Sequence, residues 1–227
     1  MPVRFSGLGR PNQIARERAR LAAAGVPVTD LTDSNPTRHG LGSPAVLEAV
    51  ARAAGRAALY DPSPRGPLPA REALAARYGG HPDDYWLTAS TSEAYSWLLQ
   101  LLTDPGDRVA IPAPGYPLIE PLAALALART SAYPLYYLHP SGWEHDTGRL
   151  AELAAAPAVR AVIAVHPGNP TGAYVECGAR LHEICARTDC ALISDEVFRP
   201  FTVDRAAAPA SLADQGEALT FALDGLS

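Results

Sequence analysis

Polar residues at a predicted helix start form the first of four segments that could do chemistry. Ser90, Thr91 and Ser92 follow a predicted strand and open the next predicted helix. Backbone N–H groups and the positive end of the helix dipole at such a start suit a phosphate group. Ser90 and Glu93 also have the S-x-x-E spacing of a capping box, so a purely structural role explains the segment too.

Two further segments offer an aromatic ring and an amide. Residues 112–117, Pro-Ala-Pro-Gly-Tyr-Pro, put Tyr116 where a flat ligand could stack, although a rigid turn with a packing tyrosine gives the same pattern. Residues 166–172, His-Pro-Gly-Asn-Pro-Thr-Gly, form a turn-rich loop that presents Asn169 as a polar donor. Both segments come directly after a predicted strand.

The fourth segment is acidic, with Asp195 and Glu196 directly after the strand at 191–194. An acidic pair in this position often serves only as a helix N-cap. In an open parallel sheet, however, ligands bind beyond the carboxyl ends of the strands. The four segments can therefore converge on one pocket, and their combination is more specific than any one of them.

Apolar runs that alternate with helical patterns must position these segments. Continuous apolar strands separated by helices are typical of a parallel sheet covered on both faces. We predict an α/β fold with a mostly parallel sheet and helices on both faces, incomplete at its C-terminus. The predicted strands are 85–88, 108–111, 132–138, 161–165, 191–194 and 219–223, and the predicted helices are 12–24, 44–58, 69–78, 91–102, 117–128, 147–155 and 176–187.

Composition excludes several classes of protein. The 227 residues carry a formal net charge of −5, which argues against nucleic acid or an anionic membrane as the main partner. No apolar run reaches the roughly 18 residues of a membrane helix, and the first residues lack the apolar segment of a signal peptide. The three cysteines have no CxxC spacing, and HExxH and GxSxG are absent. We therefore expect a cytoplasmic protein with free thiols, no metal site and none of the common hydrolase motifs.

Taken together, these loops resemble those of the pyridoxal 5′-phosphate (PLP)-dependent aminotransferases of class I/II, which have fold type I. The resemblance extends from about residue 31 to residue 227. Its most specific element is the Pro-Gly-Asn-Pro-Thr-Gly loop, in which Asn169 precedes Asp195 by 26 residues. The resemblance implies an N-terminal arm and part of a small domain at 1–44 and a PLP-transferase large domain at 45–227. The segments that carry it are 34–37, 60–66, 88–94, 114–117, 167–172 and 194–197.

The resemblance also implies a role for each segment. Asp195 would pair with the pyridine nitrogen of PLP, Asn169 would donate to the phenolic oxygen, and Tyr116 would stack on the ring. Substrate binding is implied for Asn35 and Gly40. Many relatives have glycine at the position of Ser90 and tyrosine at that of Phe198, so the chain departs from the pattern there. The implied phosphate-binding residues are Ser90, Thr91, Ser92 and, from the neighbouring subunit of a homodimer, Tyr60.

The sequence contains no lysine, because all 19 residues counted as Lys+Arg are arginines. In the family, a serine-containing turn precedes the Schiff-base lysine, and residues 223–227 resemble that turn, so the lysine is expected directly after Ser227. PLP-dependent catalysis uses this amine to hold the cofactor and to move the α-proton. The resemblance thus implies an amino acid:2-oxo acid aminotransferase of amino-acid metabolism, here as a fragment that is inactive and poorly soluble alone.

Two alternative functions stay open. A PLP-dependent carbon–sulfur lyase has the same fold and differs in its substrate and in residues outside this sequence. A non-catalytic binding or regulatory remnant would explain the missing lysine. It would not explain why Asp195, Asn169 and Tyr116 are all present.

Overall fold

A computed structural model of the chain describes residues 11–30, 35–201 and 209–225. The chain divides into two compact units, Met1–Tyr85 and Trp86–Ser227. Ser34 and the last two residues of the serine-containing turn lie outside the described residues. The boundary between a small and a large domain at residue 45 stays a prediction. Within the described ranges, no helix is long and apolar enough to cross a lipid bilayer.

The first unit is helical. Helix α1 begins after Asn12, whose Oδ1 accepts a hydrogen bond from the N–H of Ala15 at 2.8 Å. The predicted helix at 44–58 ends early, because its last turn tightens into a 3₁₀ helix that contains Gly55, a poor α-helix former. The α-helices are α1 Gln13–Ala23, α2 Pro44–Ala53 and α3 Leu68–Tyr78, and the 3₁₀ helices are Pro36–His39, Ala54–Ala58 and Pro82–Asp84.

The second unit is a six-stranded sheet with helices. All neighbouring strands run parallel except β2 and β3, so the predicted α/β fold with a mostly parallel sheet is confirmed. The strand order is β3-β2-β1-β4-β5-β6. The strands are β1 Arg108–Ala113, β2 Arg129–Leu138, β3 Gly142–His145, β4 Val159–Val165, β5 Ala191–Asp195 and β6 Thr220–Leu223, and the helices are α4 Thr91–Leu102, α5 Ile119–Leu125, α6 Thr147–Ala154 and α7 Gly178–Thr188.

Apolar side chains cover both faces of this sheet. On one face, Ile163 and Ile193 pack in a cluster with side chains of α4 and α5. On the other face, Val162 and Leu192 pack in a cluster with side chains of α6 and α7. Because β4 and β5 are buried on both sides, their sequences are continuously apolar. The carboxyl ends of these two strands therefore lie between two packed layers.

Three further differences separate the structure from the sequence predictions. No strand forms at 85–88, and the six strands of the described residues pair only with one another. Strand β3 was missed because its four residues show no apolar run, and it forms only by antiparallel pairing with β2. The predicted helix at 117–128 is shorter, since the chain turns at Leu127, which has a φ of 61°.

Candidate active site

The carboxyl group of Asp195 lies buried at the end of β5, between β4 and β6. Its Oδ2 accepts a hydrogen bond from the hydroxyl of Tyr95 at 3.0 Å, and its Oδ1 accepts a longer one from the N–H of Val197 at 3.3 Å. Burial raises the pKa of Asp195 above its ordinary value, and the charges of Asp224 and Glu196 raise it further. A cationic partner at this carboxylate would offset both effects.

Tyr95 connects Asp195 to the start of helix α4. Its side chain is 1% exposed and lies one turn after Thr91. Burial and the nearby charge of Asp195 raise the pKa of Tyr95 well above its ordinary value, so its hydroxyl stays protonated and donates. Sequence reasoning missed this residue. The only sequence signal for Tyr95 was its place on a predicted helix, between the hydroxyl residues at the helix start and the apolar side of the helix.

The start of α4 has both the structural and the anion-binding features that its sequence allowed. Ser90 caps the helix, since its Oγ accepts a hydrogen bond from the N–H of Glu93 at 3.2 Å, and Oε2 of Glu93 accepts one from Ala89 at 2.6 Å. The hydroxyls of Thr91 and Ser92 make no hydrogen bond to any other described residue. The first N–H groups of an α-helix also lack acceptors within the helix. This end of α4 therefore retains several donors for an anion.

Tyr116 lies in the turn between β1 and α5, half-buried against the apolar cluster that contains Tyr95. The turn requires Gly115 before it, because a Cβ at that position would overlap the carbonyl oxygen of Pro112. No described residue forms a hydrogen bond with the Tyr116 hydroxyl. Its ring thus packs on the same apolar cluster as Tyr95, the hydrogen-bond partner of Asp195.

The loop that carries Asn169 is attached to Asp195 at its base. The N–H of His166 donates to the backbone carbonyl of Asp195 at 2.7 Å, and the N–H of Gly168 donates to the carbonyl of Ala173 at 2.8 Å. Asn169 is half-buried, and its side-chain amide makes no hydrogen bond within the described ranges. The loop therefore carries an amide that no described residue pairs with, and its first residue is hydrogen-bonded to the last residue of β5.

A family model described as aminotransferase class I and II matches residues 27–227, which is most of the chain. The chain belongs to the class I and II aminotransferase family.

Relatives of this aminotransferase chain agree with the match. It is 32% identical over 228 residues to an alanine aminotransferase of Mycobacterium tuberculosis, covering 94% of this chain and 51% of that protein. It is 28% identical over 225 residues to the glutamate-pyruvate aminotransferase AlaA of Escherichia coli, covering 94% and 54%. The crystal structure of an aminotransferase from Escherichia coli superposes with a TM-score of 0.82 at 26% identity, covering 100% of this chain and 59% of that one. The chain spans about half the length of the curated relatives that it matches.

Class I and II aminotransferases depend on PLP, and the described side chains fit this cofactor. Asp195 is a buried carboxylate with no ion pair among the described residues, which suits the protonated pyridine nitrogen. The amide of Asn169 and the hydroxyls of Thr91 and Ser92 have no hydrogen-bond partner among the described residues, which suits a phenolic oxygen and a phosphate. No group of three or more metal-binding side chains occurs in the described ranges.

The other residues named from the resemblance lie in the first unit or in a turn. Tyr60 is 89% exposed. Asn35 accepts hydrogen bonds at Oδ1 from the N–H of Thr37 at 3.0 Å and from its hydroxyl at 2.6 Å, and Gly40 has a φ of 73°. Phe198 lies in the turn after Asp195 and is 44% exposed. Phosphate binding by Tyr60 and substrate binding by Asn35 and Gly40 stay predictions.

Proposed function

We propose that the protein is a PLP-dependent aminotransferase that moves an amino group from an amino acid to a 2-oxo acid. The observation that carries the proposal is the buried carboxylate of Asp195, which Tyr95 ties to the hydroxyl-rich start of α4. We propose that Asp195, Asn169, Tyr116 and the three residues Ser90, Thr91 and Ser92 bind the cofactor.

Some of the proposed residues would bind the ring of PLP and the others its phosphate. When bound, PLP supplies an electron-withdrawing ring that stabilises negative charge at the substrate α-carbon. Asp195 would keep a proton on the pyridine nitrogen, and Asn169 would donate to the phenolic oxygen. Tyr116 would cover one face of the ring and exclude water from it. The α4 start would hold the phosphate and so fix the ring in register with Asp195.

Substrate, assembly and location are proposed from weaker support. Relatives named alanine and glutamate-pyruvate aminotransferases make alanine and 2-oxoglutarate the first substrates to test. Tyr60, which is largely exposed, is proposed to reach the phosphate of a second copy in a homodimer. Cys177, Cys185 and Cys190 are free thiols, which fits the proposed cytoplasmic location. The amine that the family uses in catalysis is proposed to lie in the rest of the full-length protein.

We expect the full-length protein with PLP to convert alanine and 2-oxoglutarate into equal amounts of pyruvate and glutamate. Both products are measured, and without the 2-oxo acid pyruvate must not exceed one equivalent per active site, because the amino group then stays on the cofactor. Release of pyruvate from cystathionine without an amino acceptor would instead identify a carbon–sulfur lyase. No turnover of any amino acid, with the cofactor bound, would favour the non-catalytic alternative.

A second prediction tests phosphate binding at the start of α4. Replacing both hydroxyls, Thr91→Val with Ser92→Ala, should weaken binding of pyridoxamine 5′-phosphate (PMP, the amine form of the cofactor) by about 10-fold or more. Binding of pyridoxamine, which has no phosphate, should change less than about 2-fold, because the variant touches no ring contact. Calorimetric titration of both ligands gives the two ratios.

A matched control for this variant lies one turn further along the same helix. Ser96→Ala also removes a helix hydroxyl, which donates to the backbone carbonyl of Ser92 at 2.9 Å. It should leave the affinity for PMP as in the wild type. Equal losses for PMP and pyridoxamine in the double variant would contradict phosphate binding at this helix start.

A further inference from the structure

A short stretch between β5 and β6, residues 209–212, contacts two buried polar side chains at the strand ends; we call it the linking segment. The first side chain is His166. Its Nδ1 accepts a hydrogen bond from the N–H of Val175 at 2.9 Å, so the ring proton is on Nε2, which donates to the carbonyl of Ala210 at 3.2 Å. The neutral imidazole of His166 is therefore hydrogen-bonded to the linking segment.

The second side chain is Glu196, which holds the linking segment from the end of β5. Its Oε1 accepts hydrogen bonds from the hydroxyl of Ser211 and from the N–H of Leu212, both at 2.9 Å. The same oxygen accepts a third from the hydroxyl of Ser194 at 2.8 Å. Its Oε2 forms an ion pair with Arg199 at 2.7 Å. Protein groups therefore hold both oxygens of this carboxylate, Oε1 by three hydrogen bonds and Oε2 by the ion pair.

Both side chains are 1% exposed, so their placement is costly unless every polar atom is paired. Burial lowers the pKa of His166, which keeps the imidazole neutral and preserves its donor and acceptor as described. Neither side chain is needed for the proposed contacts with the cofactor. An apolar pair could fill the same space without this cost. Filling space therefore does not account for these two polar side chains, whereas the segments that their hydrogen bonds connect do.

His166 and Glu196 lie close in sequence to two of the residues proposed to bind the ring. His166 is the first residue of the loop that carries Asn169, and its own N–H donates to the carbonyl of Asp195 at 2.7 Å. Glu196 follows Asp195 directly. The linking segment therefore joins the base of the Asn169 loop to the residue next to Asp195, by bonds independent of the β4–β5 ladder.

We propose that His166 and Glu196 are positioning residues, which act through the linking segment to fix Asn169 relative to Asp195. The donor Asn169 and the acceptor Asp195 can reach the phenolic oxygen and the protonated nitrogen of one ring only if the distance between these two side chains is fixed. The inference rests on the proposed function, because it concerns the residues proposed to bind the ring of the cofactor.

Two serine-to-alanine variants separate this role from a general contribution to folding. Ser211→Ala removes the hydroxyl that reaches Glu196 from the linking segment, whereas Ser194→Ala removes one that reaches the same oxygen from within β5. In the full-length protein, Ser211→Ala should weaken PMP binding about 10-fold and Ser194→Ala less than about 2-fold. Ser211 also accepts a hydrogen bond from Ala213 at 3.2 Å, and Ser211→Thr, which keeps both bonds, should restore the affinity.

A spectroscopic measurement gives a second test, because it reports a property of bound PMP that a loss of protein stability alone would not change. The absorbance of bound PMP reports the pH at which its pyridine nitrogen loses a proton. This pH should fall in Ser211→Ala, because a displaced Asp195 holds the proton less well, and stay unchanged in Ser194→Ala. His166→Asn should lower it too, since a short amide can accept from Val175 but cannot reach Ala210. Thermal unfolding of each variant checks that it is folded.

The results separate this inference from the proposed function. If the wild type binds PMP and Ser211→Ala has the affinity and pH profile of the wild type, the positioning role is wrong and the proposed site stands. Equal effects of Ser211→Ala and Ser194→Ala would also overturn it, because they would indicate a general packing effect. If the wild type does not bind PMP, both the proposed site and this inference fail.

Discussion

Replacing Asp195 with asparagine is expected to weaken PMP binding by about 10- to 100-fold. The amide keeps the shape of the side chain and can still accept from Tyr95. It cannot form the charge-assisted hydrogen bond with a protonated pyridine nitrogen, which is worth about 1.5–3 kcal/mol. Amino transfer should fall at least as far, since the ring loses the proton that makes it electron-withdrawing. Calorimetric titration with PMP and initial rates measure the two effects.

The same substitution at the end of the neighbouring strand serves as the control. Asp224 follows β6, and its charge raises the pKa of Asp195. Asp224→Asn should therefore lower the pKa of Asp195, so that this carboxylate stays ionised and PMP stays bound to a lower pH than in the wild type. If both variants lost the same affinity at neutral pH, charge in this region would matter without any specific role for Asp195.

Lowering the pH from 7 to 4 should destabilise the fold through His145. Burial lowers the pKa of this histidine to about 4, with a further contribution from nearby His166. An unfolded histidine titrates near pH 6.5, so between about 6.5 and 4 the unfolded state binds more protons than the folded one. Stability is therefore lost as the pH falls through this window, by about 3 kcal/mol for this one group. Urea unfolding at several pH values measures the slope.

Two histidine-to-phenylalanine variants test that assignment. The ring of His145 packs against Tyr133 at 5.8 Å between centroids, which a phenylalanine can reproduce without taking up a proton. His145→Phe should therefore reduce the acid dependence of the free energy of unfolding. His139, whose side chain is exposed, lies nearby on the same hairpin, and His139→Phe should keep the wild-type slope. An unchanged slope in His145→Phe would assign the acid sensitivity to other groups.

Sequence patterns predicted those helices and strands whose formation depends on the residues within the segment itself. The apolar runs of β4 and β5 are buried on both faces, and the helix at 91–102 has both a cap and an apolar stripe, so its bounds agree with α4. Strand β3 depends on pairing with β2, whereas the short run at 85–88 forms no strand. Pairing across the sheet is a tertiary property, which short polar segments do not encode locally.

The same distinction applies to the site. Asp195, Tyr116 and Asn169 could be predicted as cofactor-binding residues because each follows a predicted strand and belongs to a recognisable loop, and these roles stay predictions. Tyr95 could not, since its role depends on a hydrogen bond to a residue 100 positions away. The contacts of His166 and Glu196 with the linking segment were missed for the same reason, because these partners are distant in sequence or lie in an irregular stretch.

The turn at Gly115 has a consequence for stereochemistry. Glycine is required there because the backbone passes close to the carbonyl of Pro112, and the next residue, Tyr116, packs against the cluster that contains Tyr95. A flat heterocycle stacked on the Tyr116 ring would have one face covered and the other open to reactants. Because a carboxylate would bind its nitrogen and an amide its phenolic oxygen, it could not bind with the two faces exchanged. Protons would then arrive from one direction, which is the geometric condition for making a single enantiomer of an amino acid.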